Sequence, residues 1–223
     1  MNININQVGK DGCVDRTSAM GVIVLKEESL SDKELRSVAE LHRESIDKGF
    51  LSQLGNRFLY ILYKAINETD GSRLIVAKHG HEVVGFVAGT EGLGGVYRTM
   101  IKKHTLSVFL SLFPNILYYK NIGKLIELIF HIGGKSSEGA FPASELLSLA
   151  VKGDYRREGV ARKLVQALIE SFRKDCVDEF KIVVGKELRE AQRFYERIGA
   201  VRNGSLEVHK GAESYIYIME IPS

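Results

Sequence analysis

Cysteine is scarce in this chain of 223 residues: Cys13 and Cys176 are its only two, and they form no C-x-x-C pair. That excludes a disulfide framework, and both side chains read as free thiols suited to a reducing, cytoplasmic setting. An excess of one charge is also missing, since 31 Lys and Arg stand against 28 Asp and Glu. A formal charge of +3 without a dense basic stripe argues against a nucleic-acid partner. The first eighteen residues are polar and carry both signs, so no apolar signal segment is present there. The most apolar region, Tyr97 to Ile132, is broken by Pro114, Asn115, Lys120, Asn121, Lys124 and Glu127. A membrane span needs roughly 20 mostly apolar residues, which those interruptions deny. Several catalytic motifs are missing too. There is no Gly-x-Ser-x-Gly elbow and no His-Glu-x-x-His helix, and Gly133-Gly134-Lys135-Ser136 fails as a P-loop because Ile129 stands where glycine is required.

What is present suits one globular domain of mixed α/β class, with 44% apolar and 26% charged residues. Residues 1–20 read as a flexible arm and 21–223 as the domain, carrying a helical insert at about 95–140. Val22 to Leu25 is a β-branched run fit for a first strand. Ser31 and Glu34 have the spacing of a capping box, which predicts a helix with Leu35, Val38, Leu41 and His42 on one face, broken by Gly49. A second helix over Asn56 to Ile66 aligns Phe58, Leu59, Leu62 and Ile66. Leu74 to Lys78 and Glu82 to Thr90 form a predicted hairpin around His79-Gly80-His81. Those histidines read as a turn with exposed imidazoles rather than a metal site, because no further ligands stand at zinc spacing.

The insert is expected to hold two amphipathic helices broken near Pro114, followed by a flexible loop over Gly133 to Gly139. Sequence alone leaves open whether they pack on the core, form a homodimer face, roof a pocket or lie on a membrane surface.

Beyond the insert the pattern sharpens. Strands are predicted at Glu145–Val151 and Phe180–Val184, helices at Val160–Lys174 and Glu187–Arg197, and a closing antiparallel pair at Val201–Val208 and Ser214–Ile221. Between the first strand and helix lies Arg156-Arg157-Glu158-Gly159-Val160-Ala161, with Arg162 following. Gly159 lets backbone approach a bulky ligand, and Ala161 keeps the first turn uncrowded. Unpaired N–H groups and the helix dipole favour an anion there, with Arg156, Arg157 and Arg162 adding charge. This spacing suits a pyrophosphate cradle. An ordinary helix start with solvated arginines is the plainer alternative.

These residues resemble the GNAT (GCN5-related N-acetyltransferase) superfamily, whose signature is Arg/Gln-x-x-Gly-x-Gly/Ala after the fourth strand. A later family pattern, Ala-x-x-x-Tyr-x-x-x-Gly, stands here as Ala191, Tyr195 and Gly199. Two departures accompany it: Leu188 replaces a common asparagine and Ala200 a common aromatic. The resemblance implies a mostly antiparallel sheet splayed between strands 4 and 5, flanked by helices. It implies acetyl-CoA as the second substrate and no metal. The coenzyme's arm would meet main-chain groups of Leu149, Ala150 and Val151, with the pyrophosphate over Arg157 to Ala161.

Glu145 matches the general base of one branch of the family, and otherwise reads as a charge at a strand edge. Tyr195 matches the general acid that protonates the departing thiolate, with a plain packing role as its alternative, since Phe194 and Ile198 lie beside it. The implied reaction acetylates a primary amine of a small molecule. His42 to Ile66 is similar to relatives accompanying bacterial polysaccharide synthesis, which points to an amino sugar or a nucleotide-linked amino sugar as first candidate. An amino acid, a polyamine or a protein lysine stays open as acceptor. So does a non-catalytic sensor that merely binds the acyl-coenzyme.

Overall fold

In a computed structural model of the chain, the described residues are 22–25, 30–46, 50–116, 141–209 and 212–222. The expected arm over 1–20, the break at Gly49 and the second half of the insert with its glycine-rich loop lie outside them.

Seven strands form one sheet in the order β1-β2-β3-β4-β5-β7-β6. They are β1 (Val22–Leu25), β2 (Ser72–His79), β3 (Glu82–Thr90), β4 (Glu145–Val151), β5 (Glu179–Gly185), β6 (Val201–His209) and β7 (Ala212–Glu220). Every pairing is antiparallel except that of β4 with β5. The helices are α1 (Asp32–Ser45), α2 (Phe50–Gln53), α3 (Asn56–Asn67), α4 (Leu93–Ile116), α5 (Val160–Lys174) and α6 (Arg189–Arg197).

Local sequence explains the starts of these elements. Ser31 and Glu34 close a full capping box ahead of α1, satisfying backbone donors at both ends of the motif. Glu34 then reaches Lys78 of β2 at 2.7 Å, tying helix to sheet. Gly80, at φ +60°, turns the β2–β3 hairpin as expected.

Two cores cover the two faces of the sheet. One gathers Leu35, Val38 and Leu41 of α1 with Phe58, Leu59, Leu62 and Ile66 of α3, against Val76, Phe86 and Ala88. The other gathers Val160, Leu164, Leu168 and Phe172 of α5 with Val84, Val87, Phe180 and Ile182. Helical spacing and strand alternation therefore sort the apolar residues to opposite sides. At Gly89, an added Cβ would stand 2.8 Å from Leu168 Cδ1, so a bare backbone there lets α5 lie close on the sheet.

The insert departs from expectation. Its first part, α4, is two helical runs as expected, but they meet at a kink at His104 (φ −127°, ψ 15°), and the second run continues through Pro114. Pro114 leaves the carbonyl four residues before it without its N–H partner, yet the backbone stays helical to Ile116. The bend coincides with a 3.0 Å contact from His104 Nε2 to Glu68 Oε2. Beyond it, Leu106, Phe109 and Leu110 are exposed. Among the described residues no helix is long and apolar enough to cross a membrane. Helix α6 begins at Arg189, two residues later than expected, because Lys186 and Glu187 make a turn closed by Leu188 N donating to Gly185 O.

Candidate active site

The site begins with a fault in the sheet. Strands β4 and β5 pair only through Glu145 with Lys181 and Leu146 with Ile182, although both run on beyond. A bulge explains the parting. Gly89 faces Leu146 while its neighbour Ala88 faces Ser148, so Leu147 is an extra residue in β4. Such bulges bend a strand and sharpen its twist. This one sits just where pairing with β5 stops. The unpaired lengths of both strands leave main-chain groups in need of partners.

At the end of β4 the chain makes one 3₁₀ turn, Gly153–Tyr155, and reaches the cradle. Arg156 Nε donates to Val151 O at 3.1 Å, fixing the loop to the strand end. Arg157 and Gly159 both take left-handed backbone, at φ +67° and +77°. The strain at Arg157 is on the order of 1–2 kcal/mol, the kind of cost that gathers at binding loops. Gly159 caps α5 with no side-chain bond, so the first N–H groups of the helix have no side-chain acceptor at the cap. Glu158 is half-buried and Arg162 exposed, while Val160 is buried and anchors the first turn. Open amides, a left-handed glycine and flanking arginines fit a diphosphate.

The α5 face of β4 carries Leu149 and Val151, and Ala150 packs on the opposite core. Tyr195 packs in the same core as Leu149 and Val151, 7% exposed. Burial raises its phenol well above the ordinary range, so it holds its proton at neutral pH. Phe194 packs edge-on against it, with ring centroids 5.2 Å apart. Leu188 is 44% exposed at the cap of α6, where it offers no polar atom. Gln192 instead ties the helix to the end of β5, donating to Gly185 O at 2.9 Å and Lys186 O at 3.0 Å.

Glu145 lies on the other side of the sheet. Its Oε2 is 3.7 Å from Lys181 Nζ, which also donates to Pro142 O at 2.8 Å. Burial raises the carboxyl pKa and the Lys181 charge opposes that rise. Burial pushes the phenol of Tyr97 in α4 up to about 12, with the nearby Glu145 charge adding to the rise. Neither Lys181 nor Tyr97 is signalled by a motif.

Sequence reading also misses a buried polar chain on this side. His42 Nδ1 lies 2.5 Å from Tyr63 Oη, and Tyr63 is hydrogen bonded to the Ser148 side chain. His42 falls on the helix face expected from periodicity, yet the pattern says nothing of its partner across the core. Among the described residues no group of His, Cys, Asp and Glu could hold a metal ion.

A sheet parted beside an uncapped, glycine-opened helix defines a class of acyl-coenzyme-binding folds. The family model for the Acetyltransferase (GNAT) family matches residues 36–200, and the chain belongs to this family of acyltransferases. No curated protein matches it significantly. Among solved structures it is similar to Ard1 from Thermoplasma volcanium, at 17% identity and TM-score 0.57, covering 91% of this chain and 99% of that one. It is similar to PaiA N-acetyltransferase from Thermoplasma acidophilum, solved with coenzyme A, at 12% identity, TM-score 0.57, and 90% and 99% coverage. YncA from Salmonella typhimurium, solved with its cofactor acetyl-CoA, aligns at 10% identity and TM-score 0.57, covering 91% and 95%. At these identities the likeness speaks for the fold.

Proposed function

We propose that the chain transfers an acetyl group from acetyl-CoA to a primary amine of a small molecule, with an amino sugar or nucleotide-linked amino sugar as first candidate. The observation carrying this reading is the β4–β5 ladder, which stops after two rungs and opens toward the uncapped start of α5. A diphosphate on the amides of residues 159–161, within reach of Arg156, Arg157 and Arg162, leaves the unpaired strand edges for the amides of the pantetheine arm. Family membership and the coenzyme bound to the PaiA structure support the choice of ligand.

In this reading the amine nitrogen attacks the thioester carbon and the C–S bond breaks. A proton passes from the amine to Glu145, directly or through water, and Tyr195 supplies one to the departing sulfur. Burial suits both groups to these tasks: it raises the affinity of Glu145 for a proton and keeps Tyr195 protonated. A strand N–H near Leu149 serves the oxyanion.

Calorimetric titration with coenzyme A, followed by thiol release from acetyl-CoA with glucosamine, glycine and spermidine, tests the proposal. Saturable 1:1 binding with amine-dependent release is expected. Binding without release by any amine would leave only a sensor, and absence of binding would remove the cradle.

A further inference from the structure

Three polar side chains from distant parts of the chain meet inside the core covered by α1 and α3. His42 is 2% exposed, Tyr63 fully buried and Ser148 8% exposed. His42 Nδ1 meets Tyr63 Oη at 2.5 Å, and Tyr63 bonds the Ser148 side chain. Phe86 holds the pair from one side, edge-on to Tyr63 at 5.1 Å and stacked on His42 at 6.4 Å. Among the described residues His42 Nε2 has no hydrogen-bond partner. A buried polar group left so costs about 1–3 kcal/mol. An apolar trio would fill this volume without that cost, so packing alone does not account for the chain.

Its outer end gives the account. Ser148 is the first residue of β4 past the bulge, where pairing with β5 has ended. It faces the α1 and α3 side, as its register partner Ala88 does, and so does Glu145. The cradle and α5 lie on the opposite face. Taking the coenzyme to bind as proposed above, on which this inference rests, its reacting end passes through the gap and emerges beside Ser148.

We propose that Ser148 accepts a hydrogen bond from the incoming amine, with Tyr63 and His42 as positioning residues that fix the direction of its hydroxyl. The Ser148 hydroxyl donates to Tyr63 Oη, and Tyr63 donates to His42 Nδ1. Burial keeps the imidazole neutral, its pKa lowered to about 4, and in the tautomer protonated at Nε2 the Nδ1 atom carries the lone pair this arrangement needs. With its proton committed inward, Ser148 turns only lone pairs toward the gap. The amine is thereby presented with an N–H on Ser148 and its own lone pair aimed at the thioester carbon, while Glu145 on the same face takes the proton. No proton travels along the chain.

The test uses the full chain, acetyl-CoA, and glucosamine, spermidine and glycine as amine probes. Ser148→Ala and Tyr63→Phe should each lower kcat/KM for the amine by about tenfold. The coenzyme Kd should stay within about twofold, since neither residue is in the cradle. Ser148→Thr, which keeps the hydroxyl, should restore most of the loss. The double variant should lose no more than either single one, because residues acting as one unit are not additive. Tyr63→Phe keeps its ring packed on Phe86 and carries the test should Ser148→Ala not fold. Unchanged kcat/KM in both single variants overturns the proposal, as do fully additive losses or a wild type that binds coenzyme yet releases no thiol with any probe. A wild type that binds no coenzyme overturns the cradle reading and this inference together.

Discussion

The two faces of the sheet are built by different means. On the α5 side the binding features are backbone: a left-handed glycine, an uncapped helix start and strand edges without partners. On the α1 and α3 side they are side chains drawn from across the chain: His42, Tyr63, Tyr97, Glu145, Ser148 and Lys181. A site made of backbone constrains few residue types and serves one ligand chemistry. A site made of side chains can be rewritten without disturbing the sheet. Under the proposed function, the coenzyme would use the backbone features of one face, and the choice of acceptor would fall to the side chains of the other.

The comparison breaks first at Tyr195, which belongs to the coenzyme side yet is asked to do chemistry. Tyr195→Phe should lower kcat for thiol release by about 10²–10³-fold at unchanged coenzyme Kd. Wild-type turnover would return it to a packing role. Next comes Gly159→Val, which puts a β-branched residue at φ +77°. A loss of about 30–100-fold in coenzyme affinity by calorimetry is expected, together with about 1–3 kcal/mol of stability from the backbone strain. Unaltered affinity would mean that the phosphates sit elsewhere.

Smaller effects separate the faces by stability. Gly89→Ala would set its Cβ 2.8 Å from Leu168 Cδ1 and 2.9 Å from Phe172 Cζ. Helix α5 must then retreat, and denaturant titration should show a loss of up to about 3 kcal/mol. His42 gives the other face a pH signature. Its folded pKa of about 4 lies below the ordinary 6.5, so the unfolded chain takes up the proton first as pH falls. The contribution is complete above about pH 6.5 and declines toward pH 4, by about 2 kcal/mol at pH 5. His42→Gln should flatten that part of the stability profile. An unchanged profile would show the imidazole to be solvated.

Much of the α5 face was legible because the residue types follow from backbone needs. Gly159 had to be glycine to cap α5 in left-handed geometry, and Val160, Leu164, Leu168 and Phe172 had to recur every turn to cover the sheet. The capping box at Ser31 and Glu34 marked α1 for the same local reason. The α1 and α3 face was half legible. Glu145 stands out by position, but its Lys181 partner is set by strand register, which no short motif encodes. The tie between Tyr63 and His42 spans a helix pair, and the bulge at Leu147 leaves no mark in a run of apolar residues. Pro114 misled because the backbone stays helical through it, whereas the bend at His104 goes with a side-chain contact to Glu68.

The short ladder between β4 and β5 also has a mechanical meaning. Four strands on one side and three on the other are two plates joined by a narrow weld, so this seam is where the sheet is weakest in shear. A ligand arm lodged in the seam works as a rivet, and amides along Leu147 to Val151 should exchange with deuterium more slowly once coenzyme A is bound.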